Sequence, residues 1–272
     1  MYPTLLRLGE LRFHSYVVMF ALAFLVGAIL PVRENLKRET PFPITTLGGI
    51  WAFFGGVFGA KLWWVIQYGA WEDWRWFQFL WTGGLVFFGG LLGGVLACLL
   101  YLRLVRAPLV MVSDLVIPYV ALAHGIARVG CFLNGCCYGA STSLPWGVAY
   151  PRHRGPFSDQ LSAGLIDAHA GHSLPVHPTQ IYETIGLVFL FFLLRAAYKR
   201  PHRDGSVVAL YLTGYGLLRF CNEFLRGDSA HPVAVFTASQ LVAGGLVLAG
   251  IVWLLVLRRG AGKGKGETVT SG

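Results

Sequence analysis

His124-Gly-Ile-Ala-Arg128-Val-Gly-Cys131-Phe-Leu-Asn134-Gly-Cys136-Cys137-Tyr-Gly139 follows directly on an apolar run, Leu115 to Ala123, and continues at the depth that run implies. A bilayer interior holds ionisable groups only where they face protein or a wet cavity, so each polar residue here is a candidate for function. On a helix, His124, Arg128 and Cys131 fall at i, i+4 and i+7, along one face. Gly125, Gly130, Gly135 and Gly139 let another backbone or a ligand come close. The plainer alternative is a packing helix whose arginine is tied to a carbonyl or carboxylate.

The rest of the chain supports reading this stretch in a membrane. Of 272 residues, 55% are hydrophobic and 13% charged, and the mean hydropathy is +0.59. That composition excludes an ordinary soluble domain. The 35 glycines suit close helix packing, and the nine tryptophans suit anchoring at the interfaces. A net charge of +9 fits a protein among anionic membrane lipids. No soluble basic domain exists to carry it toward nucleic acid. Five cysteines are too few and too clustered for a disulfide scaffold.

The expected fold is all-α and polytopic, with about seven transmembrane helices. The first runs from Ser15 to Leu30, uncleaved and ended by Pro31, with Tyr16 and His14 as interfacial anchors. The second covers Ile44 to Gln67, where Lys61 snorkels or lines a cavity. Trp71 to Trp81 alternates aromatic and charged groups and reads as an interfacial segment. The third span opens at Thr82 and ends near Arg103. The fourth is Leu109 to Arg128, the fifth begins at His177 and runs to Leu194, the sixth is Ser206 to Glu223, and the seventh is Val233 to Leu257. Residues 139 to 178 exceed an ordinary connection and predict a small folded head between spans four and five. Residues 1–257 form the membrane domain, and 258–272 a flexible tail rich in glycine and lysine.

Seven spans place the two ends on opposite sides. Thirteen of the 22 lysines and arginines then fall on the side of the C-terminus and eight on the other, with Lys61 inside the membrane. The richer side is cytoplasmic by the positive-inside rule, so the head is extracytoplasmic.

Two outward-facing elements carry arginine at membrane depth. One is Arg128 with His124 and Asn134. On the other, Tyr215, Arg219, Asn222 and Arg226 recur at i, i+4, i+7 and i+11, a polar stripe on an apolar helix, with Glu223 beside it to neutralise Arg219 or Arg226. Gln180 and Glu183 project inward if the fifth span is buried. The planar fork of arginine suits a phosphate diester, and in a bilayer the obvious phosphate is a phospholipid headgroup. The residues alone suggest an enzyme or binder of an anionic lipid at the outer face of the inner membrane.

Four stretches also resemble the prolipoprotein diacylglyceryl transferases. They are Gly83-Gly-Leu-Val-Phe-Phe-Gly-Gly90, Arg128 through Gly139, His177-Pro-Thr-Gln-Ile-Tyr-Glu183, and Tyr215-Gly-Leu-Leu-Arg-Phe-Cys-Asn-Glu-Phe-Leu-Arg226. They come in order and cover nearly all seven spans. The resemblance implies a bacterial inner-membrane enzyme that moves diacylglyceryl from phosphatidylglycerol to the sulfur of a lipobox cysteine in a prolipoprotein signal peptide, releasing glycerol phosphate. It implies membrane lipids as partners; no metal or organic cofactor is implied, and with no soluble basic domain no nucleic acid is expected. It matches Arg128, Asn134 and Gly139 to one motif and Tyr215, Arg219, Glu223 and Arg226 to another.

The chain departs from the family pattern at three positions. Phe88 stands where the family usually has a histidine, Cys131 where it has an asparagine, and Cys136 where it has a glutamate. Histidine is the usual proton acceptor near neutral pH, and His124 lies one helical turn from Arg128, so His124 is expected to replace the missing base. Cys136 is second choice. His124, Arg128, Tyr215 and Arg219 are thus the expected catalytic residues. Asn134, Gly139, Gln180, Glu183, Glu223 and Arg226 are expected to join Arg128 in binding substrate. Two other readings stay open: an inactive relative that binds anionic phospholipid, and a redox or metal protein using Cys131, Cys136 and Cys137. The spacing of these cysteines is not a standard zinc pattern, and no metal is expected; a disulfide from Cys131 to Cys136 or Cys137 is open on the oxidising side.

Overall fold

The computed structural model describes residues 4–8, 11–38, 46–68, 84, 86–227 and 236–263. Within them the chain is mostly helical, with an amino-terminal hairpin and isolated bridges in the 139–178 segment. Strands β1 (Thr4–Leu8) and β2 (Leu11–His14) pair antiparallel. The helices are α1 (Ser15–Arg38), α2 (Thr46–Tyr68), α3 (Phe87–Leu104), α4 (Leu109–Asn134), α5 (Gly155–Ser162), α6 (Thr179–Lys199), α7 (Ser206–Glu223) and α8 (Ala238–Lys263). Five of them, α1, α2, α4, α6 and α8, are long and apolar enough to cross a membrane. Their outer faces carry large exposed apolar side chains, among them Phe20, Phe54, Phe189 and Leu248. In water such faces would have to be covered; in a bilayer they meet lipid.

Several boundaries move from the sequence reading, each for a local reason. Helix α1 continues through Pro31 to Arg38. The loss of one backbone donor is tolerable in a long helix, and Arg38 Nε pairs with Glu34 Oε1 at 2.9 Å, one turn apart. Helix α4 runs six residues past Arg128, so the decisive stretch is helical as far as Asn134. Helix α6 starts at Thr179, after Pro178. Helix α8 starts at Ala238 with a reciprocal cap: Thr237 Oγ1 accepts from the Gln240 N–H at 3.2 Å, and Gln240 Oε1 accepts from the Thr237 N–H at 3.0 Å. It continues beyond Leu257 to Lys263. The Trp71–Trp81 segment, Gly83 and residues 264–272 lie outside the described residues.

The chain divides into two compact units, residues 27–115 and residues 1–26 with 116–272. In the first, α2 and α3 lie backbone to backbone. A methyl group on Gly93 would strike the Gly55 carbonyl and come within 2.8 Å of the Gly59 Cα. Phe88 belongs to this unit.

In the second unit, α7 packs along α8, and α6 lies against both α7 and α4. Thr184 Oγ1 of α6 donates to the Gly125 carbonyl of α4 at 3.2 Å. The start of α1 also touches α4: a Cβ on Gly130 would lie 3.0 Å from Met19 Cβ and 3.6 Å from Tyr16 Cα. The segment 139–178 is folded. Isolated bridges join Ser141 and Val148 to Val176, and Pro151 to His172. Tyr138, Tyr150 and Val176 form a small core there, with Val148 packed on it. His153, His169 and His172 are exposed.

Candidate active site

The second unit gathers both arginine-bearing elements around two buried carboxylates. Glu183, on α6, is 1% exposed. Its Oε1 lies 3.1 Å from an Arg128 guanidinium nitrogen and 3.8 Å from His124 Nε2. Its Oε2 accepts from Asn222 Nδ2 at 3.2 Å. Glu223, on α7, pairs with Arg219 one turn back at 2.6 Å and lies 3.6 Å from Arg226 Nε. Thr237 Oγ1 donates to its other oxygen at 3.0 Å, and Arg219 donates to Ser239 Oγ at 3.2 Å. Both of the partners proposed for Glu223 from sequence are therefore its partners.

Asn222 connects the two clusters. It neighbours Glu223 in the chain, yet its amide reaches Glu183 and also the Thr179 carbonyl, at 3.3 Å. A buried carboxylate is tolerated only when paired and hydrogen-bonded, and each of these two is. Three guanidiniums meet two carboxylates, so the assembly holds one positive charge in excess. Arg128 Nε and Asn222 Oδ1 are buried with no hydrogen-bond partner. Aromatic groups close one side. The His124 ring meets Tyr215 edge-on with centroids 5.2 Å apart, and Tyr211 stacks on Tyr215 at 5.6 Å.

The end of α4 is built as a sharp reversal. Gly135 takes φ 81°, a region only glycine enters at no steric cost. The N–H groups of Gly135 and Cys136 both return to the Cys131 carbonyl, at 2.9 and 3.2 Å, a Schellman-type closure. The loop that follows is clamped by α6. Gln180 Nε2 donates to the Cys136 carbonyl at 2.7 Å and to Tyr150 Oη at 3.3 Å, and Thr179 Oγ1 donates to the Cys137 carbonyl at 2.9 Å. Burial pushes the Tyr150 hydroxyl up to about 12, so it stays neutral and accepts this bond.

Gly139 then threads between two other segments. Its N–H donates to the His177 carbonyl at 2.9 Å, and it pairs across from Arg226. A Cβ there would sit 2.5 Å from both His177 Cβ and the Leu225 carbonyl. The glycine thus ties the α4 loop to the end of α7, where Arg226 approaches Glu223.

Of the residues expected from sequence, His124, Arg128, Glu183, Tyr215, Arg219, Glu223 and Arg226 converge on the two carboxylate clusters. Gln180 and Gly139 hold the loop, and Asn134 contacts it through its Nδ2, 3.6 Å from Cys136 Sγ. Cys131, Cys136 and Cys137 are free thiols grouped at the loop. The expectation missed two residues. Asn222 was visible in the polar stripe but was given no role. Tyr16, read as an interfacial anchor, lies close enough to Arg128 and the three cysteines to interact electrostatically with them. An aromatic residue at a helix start carries no sequence signal that separates the two roles.

Comparison with known proteins gives the chain its family. The family described as prolipoprotein diacylglyceryl transferase matches residues 3–256. Proteins named phosphatidylglycerol–prolipoprotein diacylglyceryl transferase are similar along most of the chain. The one from Clostridium tetani is 34% identical over 257 residues, covering 92% of this chain and 96% of its own. The one from Bordetella avium is 35% identical over 233 residues, covering 82% and 81%, and the one from Pasteurella multocida 29% over 273 residues, covering 96% and 94%. With a family match over nearly its whole length and relatives above 30% identity along most of theirs, this chain belongs to the prolipoprotein diacylglyceryl transferase family.

Proposed function

We propose that this protein transfers the diacylglyceryl group of phosphatidylglycerol to the lipobox cysteine sulfur of prolipoproteins. The observation that carries the reading is the joined pair of clusters: Arg128 on Glu183, Arg219 and Arg226 on Glu223, linked through Asn222. Its excess positive charge and the unpartnered Arg128 Nε fit an anionic phosphodiester.

In the reaction, the lipobox thiol gives its proton to a base, and the thiolate attacks the glycerol carbon that carries the phosphate ester. A C–S bond forms as the C–O bond breaks, giving a thioether. The electron pair leaves on the oxygen of glycerol phosphate, where the guanidiniums stabilise the developing charge. His124 takes the proton. Its Nε2 faces Glu183 Oε1 at 3.8 Å, so the imidazolium forms beside a carboxylate. Tyr215 holds the imidazole edge-on. Asn134 and Gly139 shape the loop against which the headgroup lies, and Gln180 fixes that loop to α6.

The membrane arrangement follows the same reading. The five long helices are joined by α3 and α7 as spans. Each of these has 18 residues, or about 27 Å of helix against a hydrocarbon core of about 30 Å. Seven spans in residues 1–257 put the 139–178 head and the arginine clusters on the outer side of the cytoplasmic membrane. The C-terminal segment from residue 258 is then inside, by the distribution of lysine and arginine.

The test is direct transfer. The full chain in nanodiscs containing phosphatidylglycerol is given a lipobox peptide, and the peptide mass is followed. Gain of one diacylglyceryl group on the cysteine is expected. No gain, under conditions where a related transferase modifies the same peptide, would overturn the reading in favour of an inactive relative.

A further inference from the structure

Cys131, Cys136 and Cys137 carry no step of the reaction above, yet the fold brings them together. Their three Sγ atoms all lie within 4.8 Å of one another. The turn at Gly135 returns the chain under the last turn of α4, leaving Cys136 Sγ 3.7 Å from the Cys131 carbonyl. Cys137 adopts φ 61°, in the left-handed region that residues with a side chain rarely enter. The carbonyls of Cys136 and Cys137 are both taken by α6, which fixes the backbone from which two of the thiols project.

The surroundings of the sulfurs are donors and cations. Asn134 Nδ2 approaches Cys136 Sγ at 3.6 Å. Arg128 and Arg226 are near enough to act on Cys137 electrostatically. All three cysteines are half-buried.

We propose that Cys131, Cys136 and Cys137 form a three-thiolate site for a thiophilic d10 metal ion of the zinc class. Metal–sulfur bonds of about 2.3 Å in tetrahedral geometry place the sulfurs about 3.8 Å apart. From their present separations the thiols need to close by about 1 Å at most, which side-chain rotation supplies. Three thiolates select a soft ion over magnesium or calcium, and water completes a fourth position. Each thiol binds as thiolate, so loading one divalent ion releases three protons and leaves the complex with one net negative charge. Arg128 and Arg226, each also paired with a carboxylate, act on Cys137 electrostatically and favour that charge, and the Asn134 amide donates to sulfur as outer-shell partners of metal ligands do. The i, i+5, i+6 spacing does not announce such a site, because it depends on the reversal at Gly135.

The cluster borders the residues proposed to bind substrate, and the test reads metal binding alone, so it does not depend on transfer activity. The purified full chain, reduced and freed of reductant, is titrated with Cd2+, and the thiolate-to-metal absorption band is followed, with Zn2+ added in competition. Intact-mass measurement counts ions per chain. One ion is expected. Affinity should fall by at least the 10–100-fold typical of lost support around a metal in each of Cys131→Ser, Cys136→Ser and Cys137→Ser. It should be unchanged in a Cys98→Ser, Cys221→Ser double variant. Should a single variant fail to fold, Zn2+ protection of these three thiols from alkylation in the unaltered protein decides instead. A band that survives loss of Cys131 or Cys137, stoichiometry that follows Cys98 or Cys221, no protection from alkylation, or a disulfide within the trio in protein purified without reductant would each overturn the proposal.

Discussion

Replacing Glu183 with glutamine tests the link between fold and site most sharply. The carboxylate is buried, pairs with Arg128 at 3.1 Å and accepts from Asn222 at 3.2 Å. Removing one partner of a buried ion pair costs about 3–5 kcal/mol, because the other charge is left uncompensated. Glutamine keeps the shape and one acceptor oxygen, and a hydrogen bond to a charged group returns about 1.5–3 kcal/mol. The net loss is therefore about 2 kcal/mol, a large share of the roughly 5–15 kcal/mol that holds a typical domain folded. Arg128 also loses the group that orients it, and misplacement by about 1 Å costs on the order of 100-fold in rate. The assay is transfer to a lipobox peptide in phosphatidylglycerol nanodiscs, with thermal unfolding measured on the same samples. We expect a lower midpoint and a rate down by about 100-fold. Wild-type rate and midpoint together would refute the view that Glu183 holds the Arg128 cluster.

Arg128→Ala and Arg219→Ala should each abolish transfer while the protein stays membrane-inserted; lysine at either position should rescue poorly, because the planar fork is lost. Near-normal turnover by either alanine variant would remove phosphate recognition from that residue. His124→Gln should lose most activity, by the factor of about 10²–10⁴ typical of a lost general base, whereas Cys136→Ser loses less. A fully active His124→Gln enzyme would leave the cysteines or the substrate phosphate as proton acceptor. Gly139→Ala should cost about 1–3 kcal/mol by overpacking and loosen the α4 loop from α7, since the new methyl meets the Leu225 carbonyl and His177. The readout is the unfolding midpoint, and an unchanged midpoint would mean that the loop accommodates the methyl.

Much of this protein is legible in one dimension. The apolar runs and their glycines determine a polytopic helical protein, because a bilayer admits little else. The stripe of Tyr215, Arg219, Asn222 and Arg226 is visible because helical periodicity puts these residues on one face whatever surrounds them. The span read from Ser206 to Glu223 coincides with α7, which follows Gly205 in the left-handed region.

The pairings needed the tertiary structure. Glu183 and Arg128 are 55 positions apart, and only the packing of α6 on α4 through Thr184 and Gly125 brings them together. Asn222 shows the same limit: its place in the stripe was plain, but its reach to Glu183 depends on how α6 and α7 face each other. Pro31 misled for the opposite reason, since a local breaker was outweighed by the length of its helix. The cysteines show the divide most clearly. In sequence Cys131, Cys136 and Cys137 match no metal pattern, and a left-handed turn at Gly135 closes them into one cluster. Periodicity along the chain determines which face a side chain occupies; which charges and thiols meet across faces is decided by helix packing and by single backbone torsions, which local sequence does not encode.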